Sequence, residues 1–187
     1  MRPTTGGPLS KEAINLLPGA WAYEPKVNGW RGVIHVPTLS VFNRHGKPLS
    51  IVNEFNEALP YLWETTPSDI EWLDCEMLGR RHSEDQGKIV VLDIIEELYF
   101  YEVRRAIITD TWMLTPGLGE PVTAIPSVTD PFELWNHLQE ENKRLGCDYY
   151  EGVVGKRIGT GYETQLVSAL RTTPHWIKYR FDQYTEL

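Results

Sequence analysis

Between Trp21 and Asn43 the chain breaks into three short runs separated by turn signals, and that rhythm limits the fold more than any other feature. Trp21–Glu24, Trp30–Val36 and Leu39–Asn43 are strand-like, and Asn28-Gly29 and His45-Gly46 supply the chemistry of tight turns. Runs joined this closely pair antiparallel, because a parallel neighbour needs a long crossover. Further strands are expected at Ile70–Leu78, Lys88–Ile95, Val122–Ile125, Tyr149–Lys156 and Trp176–Phe181, the first two separated by the polar loop GRRHSEDQG. One helix is expected over part of Asn53–Trp63, where Pro60 should end or bend it, and another over most of Glu96–Met113. A third has Thr129 or Asp130 as cap, Pro131 in its first turn and Gly146 as its stop. Residues 1–19, rich in Pro, Gly and Thr, read as an irregular lead-in with a short helix around Ser10–Leu17. Residues 20–187 carry no repeat or linker and read as one α+β domain of largely antiparallel sheets flanked by helices.

At 187 residues and 41% hydrophobic content the chain suffices for one medium core. Its net charge of −8, from 18 basic against 26 acidic residues, argues against coating nucleic acid or anionic membrane by bulk electrostatics, but leaves room for a local basic site. Cys75 and Cys147 form no CxxC pair, so neither a disulfide framework nor a zinc site is expected. No apolar run approaches the ~20 residues of a membrane helix, and the start lacks a signal-peptide core. The expected setting is a reducing cytoplasm, with no membrane partner.

Four clusters carry candidate chemistry. Lys26 stands between two strands just before a turn, either as a surface lysine or as an amine nucleophile held at a strand end. In Trp72–Leu78, alternation puts Asp74 and Glu76 on one face, suited to a metal or a ribose but equally to a solvated strand face. In Glu151–Arg157, Glu151 shares a face with Val153 and Gly155 while Lys156 points the other way. That strand is either a core strand with charged tips or the lining of a pocket with an acid for Mg²⁺ and a base for phosphate. In Trp176–Arg180, Lys178 and Arg180 fall side by side, matching two oxygens of one phosphate or a charged edge strand that deters aggregation. Arg80-Arg81-His82 reads as a loop that either touches a nucleic-acid backbone or is solvated, and Arg104-Arg105 as the solvated face of a helix.

The order Lys-x-Asn-Gly-x-Arg, then VFNRHG, LDCEML, EGVVGK and WIKYR resembles the covalent nucleotidyltransferase superfamily, which holds ATP-dependent DNA ligases, RNA ligases and mRNA capping enzymes. The likeness runs from Trp21 to Arg180, and Arg31 together with the Tyr162–Arg180 segment favours the adenylation domain of DNA ligases. The resemblance implies an ATP-grasp-like fold and ATP with Mg²⁺ as cofactors. It also implies that Lys26 attacks the α-phosphorus of ATP, holds AMP covalently and passes it to a 5′-phosphate at a nick in DNA repair or replication. Carried over residue by residue, Glu24 lies beside adenine, Arg31 and Arg44 contact ribose and phosphates, and Glu76 holds the ribose or a metal. Glu151 is a second metal acid, Lys178 sits on the α-phosphate, Lys156 faces the nucleotide, and Arg171 is a further phosphate or ribose contact.

The sequence departs from the family at Asn28, where Asp is usual, at Leu92, where an aromatic stacks on adenine, and at Arg180, where a second lysine is usual. The chain ends seven residues after Arg180, without the OB-fold domain that ordinarily follows. The resemblance therefore implies nicked duplex DNA bound weakly by this domain alone, with a separate OB-fold or DNA-binding partner, in the cytoplasm, the nucleus or a phage-infected host. RNA ligation, capping-type guanylyl transfer and a non-catalytic nucleotide-binding module are the alternatives.

Overall fold

The computed structural model describes residues 5–8, 14, 17–80, 82, 85–113, 120–163 and 172–183. In chain order its elements are β1 (Thr5–Pro8), β2 (Trp21–Val27), β3 (Trp30–His35), β4 (Ser40–Asn43), α1 (Ala58–Thr65), β5 (Trp72–Leu78), β6 (Lys88–Ile94), α2 (Tyr101–Trp112), β7 (Val122–Ala124), α3 (Pro131–Leu145), β8 (Tyr150–Arg157) and β9 (Thr172–Arg180). One sheet has the order β1-β9-β8-β2, the other β4-β3-β5-β6-β7. Both are antiparallel except at their β1–β9 and β6–β7 pairs.

Each sheet buries its outer face against helices. Tyr23, Val153, Ile177 and Tyr179 of the first pack on Leu134, Trp135 and Leu138 of α3. Ile34, Leu73, Cys75, Met77 and Val91 of the second pack with Leu59 and Leu62 of α1 and Ile108 and Trp112 of α2. The inner faces meet through two smaller apolar clusters, Val27 with Leu78, Val90 and Ile125, and Val33 with Ile95, Tyr162 and Trp176. Between them opens a cleft of about 600 Å³.

Local chemistry explains the helix ends. Asp130 caps α3 by accepting from Phe132 N at 2.8 Å and Glu133 N at 3.1 Å, and Gly146 ends it at φ 67°. Pro60 does not end α1 but lies in its first turn, where a missing N–H leaves no bond unmade. α2 starts at Tyr101 rather than Glu96, because Phe100 is extended at ψ 158° and the chain bends over 97–99 before it. Thr5–Pro8 of the lead-in is a strand along β9. The short helix expected at Ser10–Leu17 falls largely outside the described residues. No described helix is long and apolar enough to cross a membrane.

Candidate active-site cleft

Strand register builds one wall of the cleft. Glu24 lies opposite Val154 and Lys26 opposite Gly152 across β2–β8, while Val154 faces Lys178 and Gly152 faces Arg180 across β8–β9. Because side chains alternate along strands, Glu24, Lys26, Lys156, Trp176, Lys178 and Arg180 share the inner face. Simple alternation would put Glu151 on the opposite, α3-packed face with Val153. It does not go there, because the β2–β8 register slips between Lys26 and Val27 and leaves Glu151 as a bulge residue. Gly152 permits the bulge: its φ is 145°, and a Cβ there would stand 2.0 Å from Tyr179 O. Re-aimed, Glu151 accepts a hydrogen bond from Lys26 Nζ and lies 3.8 Å from Arg180 Nη2.

Lys178 makes no salt bridge among the described residues. Partial burial, reinforced by Lys26, Arg180, Arg44 and Arg31, holds its ammonium below the usual lysine range. This end of the cleft has more cationic groups than acids to meet them.

The second wall comes from β3, β5 and β6. Arg31 donates from Nε and Nη2 to Asp74 at 2.8 and 2.5 Å, and the hydroxyl of Tyr162 donates to the same carboxylate at 2.8 Å. Burial would lower the Arg31 pKa, but Asp74 outweighs it and the guanidinium is held above its ordinary value. Asp74 is thus a buried anchor for Arg31, not a solvated face. Glu76 Oε1 accepts from Gly29 N at 3.0 Å and fastens the turn after Lys26 to β5. A Cβ on Gly29 would stand 2.8 Å from Met77 O, so the close approach requires glycine. Burial raises the Glu76 carboxyl to about 7, with Lys26 and Arg31 pulling it down and Asp74 and Glu151 pushing it up.

Leu92 sits where β6 slips against β5, between the pairs Cys75–Val91 and Asp74–Asp93. With Ile125 it forms an apolar corner of the cleft. Arg44 is exposed in the turn after β4 and lines the mouth. Arg171 lies outside the described residues.

Behind the cleft is a buried charge network that the sequence does not announce. Lys156 Nζ is 2.7 Å from Glu24 Oε2, 3.1 Å from Asp93 Oδ2 and 2.8 Å from Leu92 O. An ammonium has three donors, so these acceptors leave none for a phosphate. Lys156 borders the cleft, and all three of its donors are directed to Glu24, Asp93 and the Leu92 carbonyl. Arg104, expected on a solvated helix face, is fully buried and donates to Asp93 at 2.7 Å and to Tyr99 O at 2.6 Å. Burial would raise the Asp93 carboxyl, but Lys156 and Arg104 hold it below its usual range. Tyr101 donates to Glu24 at 2.9 Å, and Arg105 donates to Ile125 O. His82 is also buried, with its ring edge-on to Tyr149 and its Nε2 against the carbonyl of Asn28. Only long-range packing reveals these partners.

No protein-family model matches the chain, and no curated protein matches it in sequence. Solved structures match it in fold. A Chlorella virus DNA ligase–adenylate superposes with TM-score 0.59 at 20% identity, covering 96% of this chain and 69% of that one. Mycobacterial DNA ligase D complexed with ATP gives 0.61 at 17% identity, covering 96% and 60%. An archaeal ATP-dependent RNA ligase gives 0.52 at 17%, covering 96% and 47%. The chain therefore has the fold shared by the nucleotidyltransferase regions of ATP-dependent ligases. It spans about half to two thirds of the length of these ligases.

Proposed function

We propose that the protein is an ATP-dependent, ligase-type nucleotidyltransferase in which Lys26 forms a covalent lysyl-AMP. The observation that carries this reading is the place of Lys26: at the end of β2, inside a cleft, held by Glu151 and neighbouring Lys178 and Arg180. Excess cationic charge in a concave site favours a polyphosphate. The Lys26 amine attacks the α-phosphorus, an N–P bond forms as the P–O bond to pyrophosphate breaks, and the amine's proton leaves through Glu151. Lys178, Arg180 and Arg44 neutralise the phosphates, Arg31 and Glu76 flank the ribose, and Leu92 with Glu24 borders the base in an ATP-grasp-like cleft. Arg171 adds a phosphate or ribose contact.

Glu76 and Glu151 fit Mg²⁺, which keeps several waters and typically takes one or two carboxylates together with substrate phosphates. The raised Glu76 pKa reflects, in part, acidic neighbours that a cation would relieve. When bound, Mg²⁺ would offset phosphate charge. In the second half of the cycle AMP passes to the 5′-phosphate at a nick in duplex DNA, and the adjacent 3′-hydroxyl displaces it. The protein so read acts in DNA repair or replication, in the cytoplasm or nucleus, with an OB-fold or DNA-binding partner supplying further grip. The likeness to an archaeal RNA ligase makes RNA the second polymer to test.

The test is incubation with α-labelled ATP or GTP and Mg²⁺, followed by denaturing electrophoresis. Label should appear on protein with ATP and vanish in Lys26→Ala. Label that survives the substitution sinks the nucleophile assignment, and none with either nucleotide leaves a binding module. Nicked DNA and nicked RNA then identify the polymer.

A further inference from the structure

The turn that follows Lys26 is held by contacts that the proposed chemistry does not use. Lys26 stands where the β2–β8 register slips, so the ladder that fixes the strand before it does not run on evenly past it. Beyond the slip, Asn28 N donates to Tyr149 O at 2.9 Å and Asn28 Nδ2 donates to Asp148 O at 2.9 Å. The Asn28 carbonyl faces His82 Nε2. A carbonyl only accepts, so Nε2 carries the proton and donates. His82 is itself fixed: its N–H donates to Gly79 O and its carbonyl accepts from Asp85 N, each at 3.0 Å. Asp85 in turn accepts from the Tyr149 hydroxyl at 3.0 Å, and the His82 ring stands edge-on to Tyr149 with centroids 4.8 Å apart. The turn is thereby braced between the β5–β6 connection and the α3–β8 connection, one from each sheet.

Packing alone does not call for a histidine at 82. Phenylalanine would present the same edge to Tyr149, whereas His82 is 5% exposed and, among the described residues, its Nδ1 is buried without a partner. That orphaned nitrogen is a cost, and the bond from Nε2 to the turn is what the polar ring adds against it. Position 28 obeys the same logic. Asp148 O accepts and cannot donate, so an amide satisfies it, while the carboxylate usual in the resemblance would set oxygen against oxygen. We propose that His82 and Asn28 are positioning residues that fix the strand end from which the Lys26 amine attacks, with asparagine at 28 because the brace needs its donor. The proposal rests on the ligase-type reading for the attack itself, and it adds what sets the nucleophile's place.

The experiment measures lysyl-AMP formation from α-labelled ATP in single turnovers, together with amide hydrogen exchange without ATP, on the full chain. His82→Phe keeps a ring against Tyr149 and removes the donor. Its maximal rate should fall about tenfold or more, while half-saturating ATP stays within about threefold of wild type. His82→Gln, whose amide nitrogen reaches the place of Nε2, should recover most of the rate. Asn28→Asp should lose about tenfold, although it restores the residue usual in the resemblance. Exchange at the Asn28 and Gly29 amides should quicken about tenfold in His82→Phe, while the β3–β5 ladder keeps its protection. A rate loss that His82→Gln does not recover, a rate at or above wild type in Asn28→Asp, or equal quickening along the ladder overturns the proposal. Exchange requires no chemistry, so absence of label in wild type with the local quickening intact removes the ligase reading alone. Labelling of His82→Phe at the wild-type rate removes the brace alone.

Discussion

Lys156 and Lys178 sit on adjacent strands and point from the same face of one sheet, yet they live in opposite electrostatic worlds. Lys156 is 2% exposed and its three donors are matched by Glu24, Asp93 and a carbonyl. Lys178 is partly open, makes no salt bridge among the described residues, and is pressed by Lys26, Arg180, Arg44 and Arg31. The back of the cleft is charge-complete, and it couples β2, β6, β8 and α2 into one frame. The front is left with positive charge that no described acid meets at Lys178, as the proposed binding of a polyphosphate requires. The resemblance sets both lysines toward the nucleotide; their surroundings differ, one saturated with acceptors and the other crowded by cations.

The comparison breaks most sharply at Asp93. Asp93→Ala strips the shared carboxylate from Lys156 and Arg104, leaving Lys156 with Glu24 and the buried Arg104 with backbone carbonyls only. A loss of about 3–5 kcal/mol in urea unfolding is expected, the cost of orphaning a buried charge. Stability within ~1 kcal/mol of wild type would mean that the back network is not the frame described. Lys178→Met tests the front. It removes one of several crowded cations, so the urea midpoint should hold or rise, while ATP affinity by calorimetry falls about tenfold or more. A large stability loss would place Lys178 with Lys156 instead.

The smallest effect sharpens the border between the two. Glu76, at about 7 in the fold against an ordinary 4.5, binds more protons folded than unfolded between those values. Its contribution is therefore fully present at low pH and declines as pH rises from about 4.5 to 7. The full difference is worth about 3 kcal/mol, reduced to about 1–2 kcal/mol by solvent in the open cleft. Urea midpoints of metal-free protein at pH 5 and pH 7 should show this slope, and Glu76→Gln should flatten it. A slope unchanged in the variant assigns it to another group.

Strands and the third helix were legible because their signals are local. Alternation marks β5 and the Trp176–Arg180 part of β9, and Asp130, Pro131 and Gly146 bound α3 as their chemistry requires. The gathering of Lys26, Glu151, Lys178 and Arg180 was legible only through the order of motifs, since they lie on three strands far apart in sequence. What failed locally did so for nameable reasons. Period-two counting puts Glu151 on the wrong face because it cannot see the residue that a bulge adds. Arg104 looked solvated because its partner Asp93 is in a different element, and His82 looked like loop polarity although it packs on Tyr149. Pro60 is expected to end or bend its helix, yet a proline in a first turn is equally a start.

The parallel strand β1 has a practical consequence. It covers the β9 edge, pairing Gly7 with Ile177 and Pro8 with Lys178. Trimming the opening residues as dispensable tail would bare the hydrogen-bonding rim of the strand that carries Lys178 and Arg180, inviting neighbouring molecules to dock there in its place. For protein preparation, Thr5–Pro8 is part of the wall, and affinity handles belong elsewhere.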